Sequence, residues 1–369
     1  MSFSNSIRLL QLSDLHLRGS EGWPVLEAFL KEAETRQATG LLLCGDLFDT
    51  YEDYVAGEAR LLEALKAFSG FVAIAWGNHE WLRKGARPAP REGSLGERVR
   101  VFASERLDFW EPVEGVELLG KSHSEALVDL RGGKVPRKVS GKVRFFLGHG
   151  TLIAPGFPVF DEEEGGAVFS VGLFEEMGCD AVALGHIHRR PEPIQGESGT
   201  VIAYAGSSRV WRRTEQGPRG FLQWDLQQGA EVFPEFVALE RAGELKTLRL
   251  WIDGSETGEQ VEARLLQEVQ AVGCAPFDQV EIEAEGWVVS EDQWLDYERE
   301  MTRLLESKVA KVRWNREGVL VFDQMSEQPA FSRFLKKWET LADPSNSDWR
   351  QARILGLRWI RDAVEGRLS

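Results

Sequence analysis

Short apolar runs alternate with amphipathic stretches along the first two-thirds of the chain. Apolar runs bounded by turn residues are typical of buried strands, whereas apolar positions three and four apart predict helices. Their alternation indicates an α/β architecture with buried sheets. The predicted strands are Ile7–Ser13, Gly40–Cys44, Phe71–Trp76, Val116–Gly120, Val143–Leu147, Ala181–Leu184, Val201–Ala205 and Gly220–Leu226, the last two expected to pair antiparallel. The predicted helices are Trp23–Thr35, Glu58–Phe68 and Gly166–Met177.

The pattern changes near residues 238–246. A β-α-β-α-β order then runs through Thr247–Ile252, Glu256–Val272, Gln279–Ala284, Gln293–Leu305 and Lys308–Trp314, followed by helical stretches at Phe331–Ala342 and Asp348–Val364. A chain of 369 residues exceeds one ordinary core. We therefore expect a main domain over residues 1–240, a small α+β domain over 241–325 and a helical tail over 326–369.

Composition narrows the class of protein. Hydrophobic residues make up 43% and charged residues 28% of the chain, which is a globular balance. We find no apolar run near the ~20 residues that a membrane helix needs, and no signal peptide. Three scattered cysteines form no disulfide or CxxC pattern, so we expect a cytoplasmic protein without membrane contact. The net charge of −15 opposes nucleic-acid binding unless a local basic surface or bound metal ions supply positive charge.

Polar residues follow five of the predicted strands directly. In open α/β sheets ligands collect at the carboxyl ends of strands, so these residues should meet in one crevice. Glycines before several of them permit sharp turns and close backbone approach. The five motifs are Asp14-Leu15-His16, Gly45-Asp46, Gly77-Asn78-His79-Glu80, Gly148-His149 and Gly185-His186-Ile187-His188.

The residue types in these motifs suit a metal site. Carboxylate, imidazole and amide oxygen together favour a hard or borderline divalent ion, and the lack of cysteine argues against a thiolate zinc site. A single Gly-Asp or Gly-Asn-His is usually only a turn. The ordered set differs, because five of the six histidines fall inside it. The sixth, His123, fits no ligand pattern and is expected to be a surface or turn residue.

In this order the motifs resemble the calcineurin-like metallophosphoesterase superfamily, over residues 7–226. The resemblance implies a four-layer α/β/β/α sandwich with two divalent metal ions, Mn²⁺ first and Fe, Zn or Mg as alternatives. It implies that a hydroxide bridging the metals attacks phosphorus and that His79 is the unligated catalytic acid. One metal would be held by Asp14, His16, Asp46 and His188, and the other by Asp46, Asn78, His149 and His186, with Asp46 as the bridge.

A narrower resemblance is to the SbcD-type DNA repair exonucleases, including the YhaO-like branch. It rests on the segments 7–17 and 45–50, on Tyr204-Ala205-Gly206-Ser207-Ser208, and on Gly217-Pro218-Arg219-Gly220-Phe221. It implies a small domain capping the metal face. The expected partners are DNA ends, an SbcC-like SMC-type ATPase bound through the C-terminal helices, and a second copy of the chain. The alternative for the C-terminal helices is docking onto the chain's own core. The chain departs from eukaryotic and archaeal relatives at Asp49, where they carry a second histidine.

Several basic and aromatic residues near the last motif are candidate substrate contacts. Arg189, Arg209, Arg212 and Trp211 would bind phosphate or stack on a base. The alternative is an exposed basic turn with a packed tryptophan. The basic loop at 131–142 is a weaker candidate of the same kind. Two other functions stay open: a phosphodiesterase or phosphatase on nucleotides or other small phosphoesters, and a non-catalytic scaffold for an SMC-like ATPase.

Overall fold

The computed structural model of the chain describes residues 6–81, 90–124, 135–154, 167–213, 215–227, 231–254, 256–321, 328–341 and 347–364. The chain divides into two compact units, Met1–Glu244 and Leu245–Ser369. Each unit has its own apolar core. Among the described residues, no helix combines the length and apolarity required to cross a membrane.

The first sheet of the first unit is mixed. Its order is β14-β13-β1-β2-β3-β5-β4, in which β1, β2, β3 and β5 run parallel and the other three strands pair antiparallel. The strands are β1 Ile7–Leu12, β2 Gly40–Cys44, β3 Phe71–Ala75, β4 Gly93–Ser94, β5 Val99–Val101, β13 Gly220–Leu226 and β14 Pro234–Ala238.

The second sheet has the order β11-β12-β10-β8-β7-β6, with β9 added beside the far end of β8. Strands β12, β10, β8 and β7 are parallel. The strands are β6 Asp108–Val113, β7 Val116–Gly120, β8 Val143–Ile153, β9 Ala167–Ser170, β10 Ala181–Gly185, β11 Ile194–Gln195 and β12 Val201–Tyr204.

Alternating side chains place the two sheets in a sandwich. Leu9, Leu42 and Ala73 of the first sheet share one buried cluster with Phe145 and Ala183 of the second. Their neighbours along each strand face outward into clusters with the helices, as parallel strands covered on both faces require. The helices are α1 Trp23–Thr35, α2 Tyr51–Ala67, α3 Asn78–Trp81 and α4 Val171–Glu176. The predicted α/β sandwich is confirmed.

Two predictions about the first unit are wrong. Strand β13 does not pair with β12; it crosses to the other sheet and lies antiparallel to β1. The segment between β12 and β13 is long enough for this crossing, so nearness in sequence does not decide pairing. The predicted helix Gly166–Met177 is helical only from Val171, because residues 167–170 extend the sheet as β9.

Helix α2 begins earlier than predicted. Its N-cap is Thr50, whose hydroxyl accepts a hydrogen bond from the Asp53 amide at 3.1 Å, and the first turn carries acidic residues. Residues 131–134 of the predicted basic loop lie outside the described residues.

The second unit contains a three-stranded sheet in the order β15-β16-β17. Its strands are all parallel and alternate with helices, which is an α/β arrangement, whereas the sequence indicated α+β. The last two helices pack within this unit, since Phe331, Ile354 and Leu357 share a cluster with Trp287 and Leu320. The elements are β15 Leu245–Ile252, α5 Gly258–Val272, β16 Gln279–Val288, α6 Glu291–Glu306, β17 Lys311–Val321, α7 Pro329–Leu341 and α8 Ser347–Val364.

Candidate metal centre

The carboxyl ends of parallel strands from both sheets deliver the predicted ligands to one rim of the sandwich. Asp14 and His16 follow β1, Asp46 follows β2, Asn78 begins α3 after β3, and His186 and His188 follow β10. His149 differs from the prediction, because β8 continues through it to Ile153. The strand continues there because Gly150–Ile153 pair with β9.

Four of these residues adopt backbone conformations that side chains rarely occupy. The φ angles are 52° at Asp14, 47° at His16, 48° at Asp46 and 105° at His186. Positive φ costs on the order of 1–3 kcal/mol at a residue other than glycine, and it clusters at functional sites. Here it turns each side chain out of its strand and toward the rim.

Two glycines permit the close approach of the strand ends. A Cβ at Gly45, whose φ is +81°, would lie 2.4 Å from Nδ1 of His149. A Cβ at Gly185 would lie 1.9 Å from the carbonyl oxygen of Cys44, in the opposite sheet. Any side chain at either position would push the two halves of the rim apart.

The first group of potential ligands comprises Asp14, His16 and His188, all buried. The Nε2 atoms of the two imidazoles face each other at 3.1 Å. The Asp14 carboxylate lies 3.9 Å from Nε2 of His188 and accepts the His186 amide at 3.1 Å. Burial lowers the pKa of His16 and so favours the neutral imidazole that a metal ion requires.

The second group comprises Asp46, His149 and His186. Nε2 of His149 lies 3.1 Å from Oδ2 of Asp46 and 3.1 Å from Oδ1 of Asn78, so Asn78 joins this group. Burial opposes a charged His149, but the Asp46 carboxylate outweighs it and raises the pKa of His149 to about 10. A proton and a divalent cation therefore compete for the same atoms.

His79 occupies a different position, at the exposed side of both groups. Its Nδ1 lies 2.6 Å from the backbone oxygen of Asp49, so Nδ1 is protonated and donates to that carbonyl. Its Nε2 lies 3.8 Å from Oδ2 of Asp46. Its ring also belongs to a third potential group with His16 and Asp49. With 22% of its side chain exposed, His79 is more accessible to solvent than the predicted ligands, which are all buried.

Two buried glutamates support the rim, and neither was predicted to be a site residue. Glu80 accepts hydrogen bonds from the Phe48 and Gly77 amides, both at 2.9 Å, and so links the turn after β2 to the turn after β3. Burial, followed by repulsion from Asp46, raises the pKa of Glu80 to about 7. Its position in the Gly-Asn-His-Glu motif was the signal that could have identified it.

The other glutamate is Glu215. Its Oε1 accepts Nδ1 of His188 at 2.5 Å, and its Oε2 accepts the Trp211 amide at 2.6 Å. Burial alone would raise the pKa of Glu215, but these hydrogen bonds lower it, so the buried carboxylate is ionised. No local sequence pattern around Glu215 distinguishes it from an ordinary turn residue.

A buried glutamine joins the two sheets below the rim. The Gln11 amide nitrogen donates to the carbonyls of Leu184 and Ala203 at 3.0 and 3.1 Å, and its oxygen accepts the Trp224 indole at 3.0 Å. Because all of its hydrogen-bonding capacity except one lone pair is used inside the core, Gln11 fixes β1 against β10.

The predicted substrate contacts separate into two kinds. Arg209 is only 8% exposed, and its guanidinium donates to the backbone oxygens of Leu15 and His16 at 2.9 and 2.7 Å, which holds the β1 exit in place. Trp211 stacks on His16 with ring centroids 5.0 Å apart, while Arg189 is exposed and Arg212 is half-buried. Their contact with substrate stays a prediction.

His123 lies closer to the rim than the sequence indicated. Its amide donates to the carbonyl of Trp76 at 2.8 Å, just before the Gly77-Asn78 turn. The Lys121 amide donates to Leu147 of β8, next to the strand end that carries His149. Burial, then repulsion from His149, lowers the pKa of His123 to about 4.

The donor set fits divalent metal ions. Two buried groups of imidazole and carboxylate atoms lie side by side, each with its donor atoms within 4.8 Å of one another, and no cysteine side chain belongs to either group. Imidazole, carboxylate and amide oxygen are the ligands of hard and borderline divalent ions. Together the groups suggest a dinuclear divalent site.

Comparison with known proteins agrees with this chemistry. Residues 7–190 match the family model of the calcineurin-like phosphoesterases. The DNA double-strand break repair protein Mre11 of Methanosarcina acetivorans is 25% identical over 234 residues, which are 58% of this chain and 36% of that protein. The chain thus matches about a third of that relative's length.

Solved structures similar to this chain include two phosphatases. A purple acid phosphatase from yellow lupin seeds is 15% identical, with a TM-score of 0.45, over 66% of this chain and 53% of its own. A dimetal phosphatase from Danio rerio is 11% identical, with a TM-score of 0.37, over 63% of this chain and 99% of its own.

Proposed function

The chain belongs to the calcineurin-like phosphoesterase family, and from this premise we propose that it is a two-metal phosphodiesterase that cleaves DNA in DNA repair, by exonuclease or endonuclease action. The phosphoesterase part rests on one observation: two adjacent buried groups of imidazole and carboxylate ligands share one rim of the sandwich. Membership of the family supports a metal-dependent hydrolase of phosphoesters.

The roles of the rim residues follow from their positions. Asp14, His16, Asp46 and His188 would hold one divalent ion, and Asp46, Asn78, His149 and His186 the other. When bound, such a pair of ions lowers the pKa of water and offsets the charge of the phosphoryl oxygens during in-line attack. Mn²⁺ is the ion we propose.

His79 would donate the proton that the departing oxygen needs. An alkoxide is a poor leaving group without that proton. The hydrogen bond from Nδ1 to the Asp49 carbonyl fixes the ring, so the proton would leave from Nε2 of the doubly protonated imidazolium, and His79 would be left as the neutral ring with its proton on Nδ1. Glu80 and Arg209 would act through the backbone turns that they hold.

DNA as the substrate is supported by the similarity to the archaeal DNA double-strand break repair protein and by the surface beside the first group. Arg189 and Arg213 are exposed there, next to His188 and Trp211. Cationic side chains bind the phosphate backbone, and an indole offers a face on which a base can stack.

The decisive test is digestion of labelled linear and closed circular duplex DNA by the pure full-length chain with Mn²⁺. Asn78→Ala should abolish cleavage, while Ser69→Ala should not, since exposed Ser69 lies just before the opposite end of the same strand, β3. Cleavage of linear DNA alone indicates an exonuclease, and nicking of the circle indicates an endonuclease. An intact DNA substrate with wild-type protein would overturn the proposal of a nuclease.

A second candidate is a phosphodiesterase acting on nucleotides or other small phosphoesters. The observation that favours it is the engagement of Arg209 with backbone carbonyls, which leaves fewer cations for DNA on a chain of net charge −15. Rapid hydrolysis of bis(p-nitrophenyl) phosphate without DNA cleavage would favour this candidate.

A protein partner is proposed for the second unit. On α8, Leu355 and Trp359 are 57% and 69% exposed and lie one helical turn apart. We propose that they contact an SMC-like ATPase. Replacing both by Ser should abolish binding to the SMC-type ATPase of the same organism in calorimetry, while Val289→Ser, at another exposed apolar residue of this unit, should not.

A further inference from the structure

The two ligand groups differ in the chemical groups that lie next to Nδ1 of their histidines. In the first group, Nδ1 of His188 donates a hydrogen bond to the buried carboxylate of Glu215 at 2.5 Å. A second carboxylate, that of Asp49, lies 3.7 Å from Nδ1 of His16. Both histidines of this group therefore have an acidic neighbour on the side that faces away from the other imidazole.

A carboxylate that is hydrogen-bonded to Nδ1 of an imidazole, as Glu215 is to His188, changes the imidazole in two ways. It fixes the proton on Nδ1, so Nε2 stays free to bind a cation, and it makes that nitrogen more basic. Trp211 adds rigidity, because its amide donates to the same glutamate and its ring stacks on His16. The first group is thus preorganised and carries extra negative charge.

The second group lacks this support at His149. Nδ1 of His149 lies 2.7 Å from the carbonyl oxygen of Cys44, which is a neutral acceptor. Glu80, a buried glutamate of this half, accepts the backbone amides of Phe48 and Gly77. Asn78, the additional ligand here, is also neutral.

We propose that the two metal positions fill in order, the group of Asp14, His16 and His188 first, and that Glu215 is the positioning residue that sets this order. The inference rests on the proposed metal centre. Cation affinity rises with the negative charge around a site, and carboxylates behind histidine ligands typically change metal affinity by about 10- to 100-fold.

Histidine NMR can follow the order in the wild-type protein. The full-length chain has six histidines, so a sample labelled with ¹⁵N at histidine gives few signals, which single substitutions can assign. The first equivalent of Zn²⁺ should shift the ring nitrogens of His16 and His188. The second equivalent should shift those of His149 and His186.

The possible outcomes distinguish the order of filling from the existence of the metal centre. Simultaneous shifts of both pairs, or shifts of His149 and His186 first, would overturn the inference and leave the metal centre intact. If Zn²⁺ shifts none of the four, the metal centre itself is refuted.

Calorimetric titration with Zn²⁺ then tests the role of Glu215. Glu215→Gln should weaken the tighter step about 10- to 100-fold and leave the weaker step within about threefold. Glu215→Asp, which keeps the charge, should recover part of the loss. Glu175→Gln should change neither step, because Glu175 accepts the Ser198 amide and is in neither ligand group. An unchanged tighter step in Glu215→Gln would refute the role.

Discussion

The two units of this chain both contain parallel strands, but the backbone conformation at the ends of those strands differs between them. In the first unit, Asp14, His16, Asp46 and His186 leave their strands with positive φ. In the described part of the second unit, positive φ occurs only at glycines, Gly273 and Gly286. The described residues of that unit also contain no group of potential metal ligands.

The second unit follows local rules closely. Helix α5 has a capping box made by Thr257 and Gln260 and ends at Gly273 in a left-handed conformation. Helix α6 is capped by Ser290. Among the described residues of the first unit, four of the five non-glycine residues with positive φ lie where the potential ligands converge, the fifth being Gln37, and the packed sandwich offsets the cost. Backbone strain at neighbouring strand ends, and not the type of sheet, therefore distinguishes the candidate site.

The largest expected effect is the loss of hydrolysis when a proposed metal ligand is replaced. Asp46→Asn should lower the hydrolysis of bis(p-nitrophenyl) phosphate with Mn²⁺ by about 10³-fold or more, because the shared carboxylate is lost. Asp278→Asn replaces an equally buried carboxylate of the second unit and should leave turnover per folded molecule within about twofold. Retention of a tenth of the activity by Asp46→Asn would contradict the assignment.

The next largest effect should come from replacing His79, the proposed proton donor. His79→Gln should reduce hydrolysis of a diester with an alkyl leaving group by about 10²-fold, and of a p-nitrophenyl diester much less, because p-nitrophenolate leaves without a proton. Metal content, measured by atomic emission, should stay at the wild-type value. A parallel loss of metal would instead make His79 a ligand.

A pair of glycines compares strain in the two units directly. Gly45→Ala should lower the free energy of unfolding by about 3 kcal/mol, because the methyl group meets His149 in a left-handed turn. Gly273→Ala should cost only about 1 kcal/mol, since its Cβ would have nothing within 4 Å. Urea unfolding measures the free energy of unfolding of both variants. Equal losses would show that the close approach between Gly45 and His149 adds no cost of its own.

The smallest expected effect is a pH dependence confined to the first unit. The pKa of His123 is about 4 in the folded chain against an ordinary 6.5, so the unfolded chain takes up the proton first as pH falls. Its contribution to stability is full above pH 6.5 and is lost toward pH 4. His123→Asn should therefore lose less stability between pH 7 and pH 5 than wild type.

Urea unfolding of the metal-free protein at the two pH values measures this slope. The second unit contains no histidine, so its transition serves as the control and should keep its slope in the variant. An unchanged slope in the first unit would mean that His123 is solvated like an ordinary histidine.

Local pattern predicted most strands because buried parallel strands are nearly continuous apolar runs. β2, β7 and α1 have the predicted bounds, and the mixed α/β class followed. The failures occurred where distant partners decide. Residues 167–170 read as helix but add to β8, and β13 pairs with β1 because the chain crosses between the sheets.

The sequence by itself determined the residue types of the candidate site and that all of them except His149 follow strands, because glycine and polar residues after an apolar run are a local signal. Only the tertiary structure decided which of them meet. His16 and His188 face each other across 172 residues, and Glu215 and Gln11 gain their roles from contacts with distant segments. Such contacts depend on the packing of two sheets, and no stretch of neighbouring residues encodes that packing.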